Sequence, residues 1–385
     1  MKYILVINCG SATLKFKVFE FLNLEEVLSG IVERVGLPGS FVELRIKNQE
    51  LRKSVRARNH EDALKIVLLQ IENCKLKIKN FSIVGHRVVH GGEEFTKTTL
   101  VTPRVLQKLK KYNKLAPLHN PANLMGISAC QKLLPKIKNI AVFDTAFYLT
   151  LPDYAYTYAL PYEFYSKHGI RRYGFHGISH HYVTLEAAKK LKRPLKNLNL
   201  ITCHLGSGCS ITAIKNGEAV DTSMGFTPLE GLVMSTRAGD VDPAIPLYLM
   251  RELRISPQEI DKILNNESGL LGISGFADMR EVLVAAGYKV AEFEQKNKKT
   301  KKQKNRLALL ALKIFIYRVQ KYISAYAGIL GGVDAVVFTG GIGERNPTVR
   351  GLVMKGLKLL GRPKVLAIPT NEELMIVREV KNFKS

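Results

Sequence analysis

The stretch Leu198–Thr222, LNLITCHLGSGCSITAIKNGEAVDT, reads as three strands in succession. Its apolar run 198–205 ends in Gly206-Ser207-Gly208, and a second run follows from Ser210 to Ile214. Asn216-Gly217 is a favoured two-residue hairpin turn, because both central positions of that turn take positive φ. Glu218–Thr222 then supplies the third strand. The N-terminus repeats the pattern: an apolar run over residues 3–9, a Gly10-Ser11 turn, a second run over Leu14–Phe19 and a third near Val27–Val32. A chain that opens in the same way twice is expected to hold two similar α/β domains facing one another. Elsewhere the periodicity predicts helices over Glu61–Glu72, Pro103–Leu115, His180–Leu191, Ala244–Arg254, Pro257–Asn265, Leu307–Leu330, Val349–Leu359 and Asn371–Glu379. Strands are predicted at Phe81–Val89, Ile140–Phe143, Ala335–Phe338 and Val365–Ile368. The boundary is placed near residue 150, giving domains 1–150 and 151–370, with the final helix (371–385) returning to the first.

Composition narrows the function classes. At 385 residues the chain exceeds one typical core, and its 46% hydrophobic and 24% charged content is that of a soluble globular protein. No apolar run approaches the roughly 18 residues of a membrane span, and residues 3–8 are too short for a signal peptide's apolar core, so a cytoplasmic protein without a membrane partner is expected. The five cysteines form no CxxC pair and are odd in number, which predicts reduced, buried thiols. The net charge of +25 raises nucleic acid, a membrane surface or anionic small molecules as partners. It is thinly spread, dense only at Lys296–Arg306 (KNKKTKKQKNR), and comes with no nucleic-acid-binding signature. That segment is expected to be a solvated loop, and no nucleic-acid partner is expected.

The chemistry is expected where glycine-rich turns follow buried strands and expose backbone N–H groups to anions. There are three such turns: Gly10-Ser11, Gly206-Ser207-Gly208 and Gly340-Gly341-Ile342-Gly343. No GxxxxGK[ST] or protein-kinase signature accompanies them. The long stretch Asp221–Ala244, DTSMGFTPLEGLVMSTRAGDVDPA, has little periodicity and carries Arg237 between Gly231 and Gly239, with Glu230, Asp240 and Asp242 nearby. Loops of that length in compact domains are commonly functional. Arg237 and Arg87 (in GHRVVHGG) could clamp a phosphoryl group or serve in ordinary salt bridges. Lys15 is a phosphate candidate or a strand-edge lysine. Asp144 ends a predicted buried strand, where α/β proteins place functional carboxylates. Glu372 is a Mg²⁺ candidate or a helix-start glutamate. His176 and His180 are spaced i, i+4, and with His181 could suggest a metal site, but no Glu follows His176 and metal ligation by them is not expected.

The motifs INCGSATLKF, GHRVVHGGE, APLHNPAN, FDTAF, RRYGFHGISHHY, HLGSGCSI, DTSMGFTPLEGLVMSTRAGDVDPA, ESGLLGISG, FTGGIGERNP and IPTNEEL together resemble the acetate kinase family, in its order, from residue 3 to about 379. The resemblance implies two duplicated actin-like (ribonuclease H-like) domains around a nucleotide cleft, and a homodimer. It implies reversible phosphoryl transfer between ATP and acetate, giving acetyl phosphate and ADP, with Mg²⁺ or Mn²⁺. By motif, Asn8 and Glu372 would lie near the metal, and Ser11, Thr13 and Lys15 beside the phosphates. Arg87, Val89, Leu118, Phe175 and Pro228 would surround acetate, while Asp144, His176 and Arg237 would act on the reacting phosphoryl group. The loop His204, Leu205, Gly206, Ser207 and Gly208 would hold the nucleotide, with Asp278, Met279 and Arg280, and Gly341, Ile342, Gly343, Glu344 and Arg345. Ser207 replaces the family's usual asparagine, Ser11-Ala12-Thr13 replaces three serines, Met279 stands at a variable place near the adenine, and the 296–306 segment resembles an insertion or a diverged surface loop.

Acetate is already ionised at neutral pH, so the work left to the protein is alignment and charge neutralisation. Direct in-line attack on the γ-phosphorus is expected, with Arg87 orienting acetate, Arg237 and His176 stabilising the equatorial oxygens, and Asp144 orienting Arg237 or a metal-bound water. A propionate or butyrate kinase would share the phosphate-handling motifs. A non-enzymatic actin-like nucleotide-binding protein would need neither Arg87 nor the apolar pocket.

Overall fold

The computed structural model describes residues 1–46, 49–117, 119–290 and 301–383. Two compact units emerge, one made of Met1–Leu149, Gly177–Ser179 and Asn371–Ser385, the other of Thr150–His176 and His180–Thr370.

In the first unit the strands are β1 (Tyr3–Cys9), β2 (Thr13–Glu20), β3 (Glu26–Glu33), β4 (Phe41–Ile46), β5 (Gln49–Ser54), β6 (Phe81–Val88), β7 (Thr99–Leu100) and β8 (Lys138–Phe143). They pair in the order β5-β4-β3-β2-β1-β6-β8-β7. The meander β1-β2-β3 is antiparallel, whereas β1, β6 and β8 run parallel. Alternation assigns the faces: Leu14, Phe16 and Val18 of β2 are buried, while Lys15 and Lys17 point the other way. The buried set joins Leu5, Ile7, Leu64, Val67, Ile71, Ala129 and Cys130 in one core under the helices His60–Asn73 and Asn120–Leu133. The C-terminal helix Glu372–Lys381 also packs on β1, β6 and β8. Its Ile376 lies so close to Gly85 that a Cβ there would come within 2.8 Å of it.

The second unit has β9 (Asn199–Leu205), β10 (Cys209–Lys215), β11 (Glu218–Thr222), β12 (Ala335–Thr339) and β13 (Lys364–Ala367), in the order β11-β10-β9-β12-β13. Strand β9 is antiparallel to β10 and parallel to β12, and β12 is parallel to β13. This is the order and sense of β3-β2-β1-β6-β8, so the two openings that look alike in sequence build the same half-sheet twice. The helix Lys301–Leu330 packs against this sheet, with Phe315, Val319 and Ile323 fully buried.

Several local expectations need correction. Strands β4 and β5 were not expected, and β5 (QELRKS) is exposed along its length with no apolar alternation to reveal it. The helix predicted over Pro103–Leu115 ends at Lys110, followed by a 3₁₀ turn over Lys111–Lys114. Gly340–Gly343 opens a short helix, Gly340–Arg345, rather than forming a free turn. Residues 296–300 of the basic segment lie outside the described residues, and from Lys301 the chain is already helical instead of a loop.

All five cysteines are free thiols, four of them buried, and burial pushes Cys9 and Cys209 up to about 12. No helix among the described residues is long and apolar enough to cross a membrane.

His86 on β6 is buried and bonds Asn139 Oδ1 through Nε2 at 2.8 Å. Burial lowers its pKa from 6.5 to about 4, the Asn139 bond offsetting only part of the effect. Between pH 6.5 and 4 the unfolded chain therefore binds a proton that the native protein does not, and stability falls as the pH falls. The slope from this one group approaches about 1.4 kcal/mol per pH unit, roughly 3 kcal/mol over the window. Urea unfolding of the wild type and His86→Gln between pH 7 and 4 should show the variant losing stability less steeply. Equal slopes would mean that His86 is not the titrating group.

Candidate active site

In the first unit, polar side chains gather where the parallel strands end. Asn8 on β1 lies opposite Lys15 on β2, which puts both on one face of the sheet. Arg87 on β6 is held between two carboxylates. Its Nε lies 3.3 and 3.2 Å from the Asp144 oxygens, Nη2 2.6 Å from Asp144 Oδ2, and Nη1 3.0 Å from Glu372 Oε2. Asp144 is only 1% exposed, and Glu372 starts the C-terminal helix. Burial opposes the charge on Arg87, but Asp144 and Glu372 outweigh it and raise the pKa above its ordinary value. Asp144, expected beside Arg237 or a metal-bound water, is thus committed to Arg87. Two of the five guanidinium N–H groups, one on each terminal nitrogen, are not used in these contacts.

The loop after β6 is fixed by two asparagines of the helix Asn120–Leu133. Asn123 Oδ1 accepts from Val89 N at 3.0 Å while its Nδ2 donates to Cys9 O at 2.6 Å. Asn120 exchanges two hydrogen bonds with the His90 backbone, 3.0 and 2.9 Å. Thr145 Oγ1 accepts from Gly91 N. These three residues escaped the sequence reading as site-building groups, although Asn120 and Asn123 lie in the motif APLHNPAN and Thr145 in FDTAF. Val89 is buried, Ser11 and Lys15 are exposed and Thr13 is half-buried beside the Gly10 turn, whose N–H donates to Thr13 O. Leu118 lies outside the described residues.

In the second unit the β9–β10 turn is closed by Gly206 N donating to Gly208 O at 3.0 Å. Gly208 lies close under two side chains: a Cβ there would lie 3.3 Å from His176 Cε1, 3.4 Å from its Nε2 and 3.6 Å from an Arg237 terminal nitrogen. The turn, the Nε2 edge of His176 and the Arg237 guanidinium therefore adjoin. The His176 ring stacks on His204, with centroids 4.3 Å apart, and its own backbone is left-handed at φ 59°. Phe175 is buried and Pro228 half-buried.

Arg237 has no carboxylate within salt-bridge distance among the described residues; its guanidinium instead lies against Met234 Sδ at 3.9 Å. Burial pulls its pKa below the ordinary value, with only a small opposing effect from Cys209. The backbone around it is strapped instead. Ser268, Leu270 and Leu271 donate to the carbonyls of Thr236, Met234 and Ser235 at 2.9–3.0 Å, and Ser235 N donates to Ser207 O at 3.1 Å. The three acids of this loop all serve its architecture. Asp240 accepts from Gly231 N and the Tyr322 hydroxyl at 2.8 Å, Glu230 pairs with Arg172 at 2.6 Å and with the Tyr158 hydroxyl, and Asp242 accepts from Ala244 N at 2.8 Å.

The remaining candidates are partly self-engaged. Asp278 caps the helix Met279–Ala285 and holds the Arg280 side chain, while Met279 is buried. Glu344 accepts from Thr370 N and lies beside Arg345; Arg350 donates to the carbonyls of Gly343 and Glu344, both at 2.8 Å. No group of three or more His, Cys, Asp or Glu among the described residues could hold a metal unaided. Asn8 and Glu372 do offer hard oxygen donors, and Mg²⁺ commonly takes only one or two protein ligands alongside phosphate and water.

The sequence profile of the Acetokinase family matches residues 3–364. An acetate kinase from Clostridium novyi is 46% identical over 407 aligned positions, covering 99% of this chain and 98% of that one. The crystal structure of Porphyromonas gingivalis acetate kinase matches with a TM-score of 0.88 at 40% identity, covering 98% of each chain. A propionate kinase from Francisella tularensis matches with a TM-score of 0.90, also at 40% identity, covering 98% of this chain and 99% of that one. By its full-length likeness, its twice-built half-sheet and its motifs, the chain belongs to the acetokinase family.

Proposed function

We propose that this chain is an acetate kinase that transfers a phosphoryl group reversibly between ATP and acetate. The observation that carries the reading is Arg237, a partly buried guanidinium with no carboxylate partner among the described residues, beside a glycine turn and the edge of His176. A buried cation left without a protein counter-charge is suited to an anion that arrives as substrate. In the reaction a carboxylate oxygen of acetate bonds to the γ-phosphorus, the bond to the β,γ-bridging oxygen breaks, and ADP leaves with its electron pair. No proton moves. Arg237 and His176 would donate to the equatorial oxygens. The backbone of Gly206–Gly208 and Gly341–Arg345, with Ser11, Thr13 and Lys15, would bind the nucleotide phosphates. Asp278, Met279 and Arg280 belong to the proposed nucleotide site, the first two as its frame.

Arg87 would present its remaining terminal N–H groups to acetate, with Asp144 as the residue that positions it. Val89, Leu118, Phe175 and Pro228 would receive the methyl group. Asn8 and Glu372 fit Mg²⁺ by donor chemistry, and the ion when bound would neutralise charge on the nucleotide phosphates. Homodimerisation is part of the same reading. It is supported by apolar side chains standing in solvent on the second unit, Tyr154, Tyr162, Tyr248 and Tyr317 among them, each at least 60% exposed. Sedimentation of the purified chain at micromolar concentration should give twice the mass of one copy, and a single species at 43.1 kDa would refute a dimer.

The second reading is a propionate kinase, favoured by the similar solved structure. Val89, which is buried, would limit the depth of the proposed acetate pocket. One methylene in an apolar pocket changes specificity by roughly 10–200-fold. Acetate is expected to exceed propionate in kcat/KM when acyl phosphate is trapped with hydroxylamine, and Val89→Ala should narrow the gap. Equal or higher kcat/KM for propionate decides for the second reading.

An arginine that neutralises a transferring phosphoryl group contributes roughly 10³–10⁵ in rate. Arg237→Ala should lose activity on that scale with little change in the KM for ATP, and Arg237→Lys should recover only part of it, because an ammonium lacks the planar fork. Since its charge is buried without a salt bridge, the alanine variant should keep or raise its Tm. Near-normal kcat, or a fall in Tm matching the fall in activity, would sink the proposal.

A further inference from the structure

We infer that a buried hydrogen-bond chain, Thr202–His180–Ser210, fixes the tautomer of His176 so that its ring proton sits on Nε2, the edge lying against Gly208. The chain runs across β9 and β10 and beneath the helix Gly177–Leu191. Thr202 Oγ1 lies 2.6 Å from His180 Nδ1, His180 Nε2 lies 2.7 Å from Ser210 Oγ, and Ser210 Oγ lies 2.9 Å from His176 Nδ1. Thr202, His180 and Ser210 are all fully buried.

The direction follows from counting protons. Among the described residues the Thr202 hydroxyl bonds only His180, so it is best satisfied by donating; were it the acceptor, its own hydrogen would be buried without one. His180 Nδ1 is then an acceptor. Burial, with a contribution from His204, holds the His180 pKa well below its ordinary value, so the ring is neutral and its single proton sits on Nε2. That N–H donates to Ser210 Oγ, and Ser210 in turn donates its hydrogen to His176 Nδ1. A neutral His176 can then carry its proton only on Nε2. Thr202, His180 and Ser210 are positioning residues: none need touch a substrate, and together they present one fixed N–H donor beside the β9–β10 turn.

The tautomer stands on the hydrogen bonds and the buried, neutral His180; its use, donation to a phosphoryl oxygen, rests on the proposed kinase reading. The test separates the two. The full chain, labelled with ¹⁵N in its nine histidines, is recorded without substrate by long-range ¹H–¹⁵N correlation of the ring nitrogens. His176 is assigned from the signal missing in His176→Gln. A pyridine-type Nδ1 and a pyrrole-type Nε2 are expected, and the reverse pattern in the wild type overturns the inference without needing any variant. Thr202→Val, close to isosteric, removes the donor that sets the direction, so His176 should then populate both tautomers, whereas Thr202→Ser should keep one. An unchanged single Nε2–H form in a folded Thr202→Val protein would overturn the role of Thr202. Under the kinase reading, kcat should fall in proportion to the lost Nε2–H population with KM unchanged, and Thr202→Ser should restore it. A correct tautomer in a protein that does not phosphorylate acetate would refute the kinase reading and leave the inference standing.

Discussion

Buried positive charge is handled in two opposite ways in this chain, and the polar cluster of each unit depends on it. Arg87 is neutralised within its own unit by Asp144 and Glu372. Removing one partner of a buried pair leaves an uncompensated charge, typically at a cost of about 3–5 kcal/mol. The cluster therefore ties the end of β6 to the residues after β8 and to the start of the C-terminal helix more specifically than the apolar contact at Gly85 could. Arg237 has no such partner among the described residues, so its position must come from its backbone. A carboxylate close enough to hold it would also cancel the field that a phosphoryl group is proposed to use.

That requirement explains the composition of the loop around Arg237. Irregular chain inside a compact unit carries backbone groups that no ladder satisfies, and side chains or neighbouring segments must take them. Asp240, Glu230 and Asp242 do this at a distance from Arg237, each engaged with a backbone N–H, a hydroxyl or a structural arginine. Gly239 makes the close approach possible, since a Cβ there would sit 2.4 Å from Leu232 O. Asn120 and Asn123 play the same part for the loop after β6, Asn123 reaching back to the end of β1 as well. Much of the polarity in the motifs thus shapes the loops instead of meeting a ligand.

The two meanders were legible because most of their strands alternate or are largely apolar and three of their four turns are marked by glycine, the exception being Phe21–Glu25. β5 was not, being exposed on both faces. The helix Asn120–Leu133 was missed for the opposite reason: eight of its fourteen residues are buried and its apolar positions form no single stripe. Gly126 within it fits against Cys9, whose Sγ would stand only 2.3 Å from a Cβ at that position, a close approach that carries no local sequence signal. At the site, residue types and their neighbourhoods could be read from motifs, but pairing could not. Nothing along the chain distinguishes an Asp144 that holds Arg87 from one that holds Arg237, because the partner is chosen by strand order and not by distance in sequence. Ser210 was equally invisible, a small polar residue in an apolar strand that ordinarily reads as core.

A reaction that moves no proton changes what its histidines are for. His86, His90 and His180 are all held below the ordinary range by burial, His86 to about 4 and His90 to about 3. At neutral pH such rings are oriented donors and acceptors rather than charges. Under the proposed reading His176 works in the same way, as a neutral N–H whose direction is set by its neighbours, and the charge of the transferring group is left to Arg237. The two roles are divided for an electrostatic reason. Two like charges about 4 Å apart repel by roughly 4 kcal/mol at an effective dielectric of 20. A protonated His176 beside an Arg237 that already lacks a counter-charge would add a repulsion of this kind to the unit before any substrate arrived. A neutral ring with its proton held in place gives a directed hydrogen bond without it.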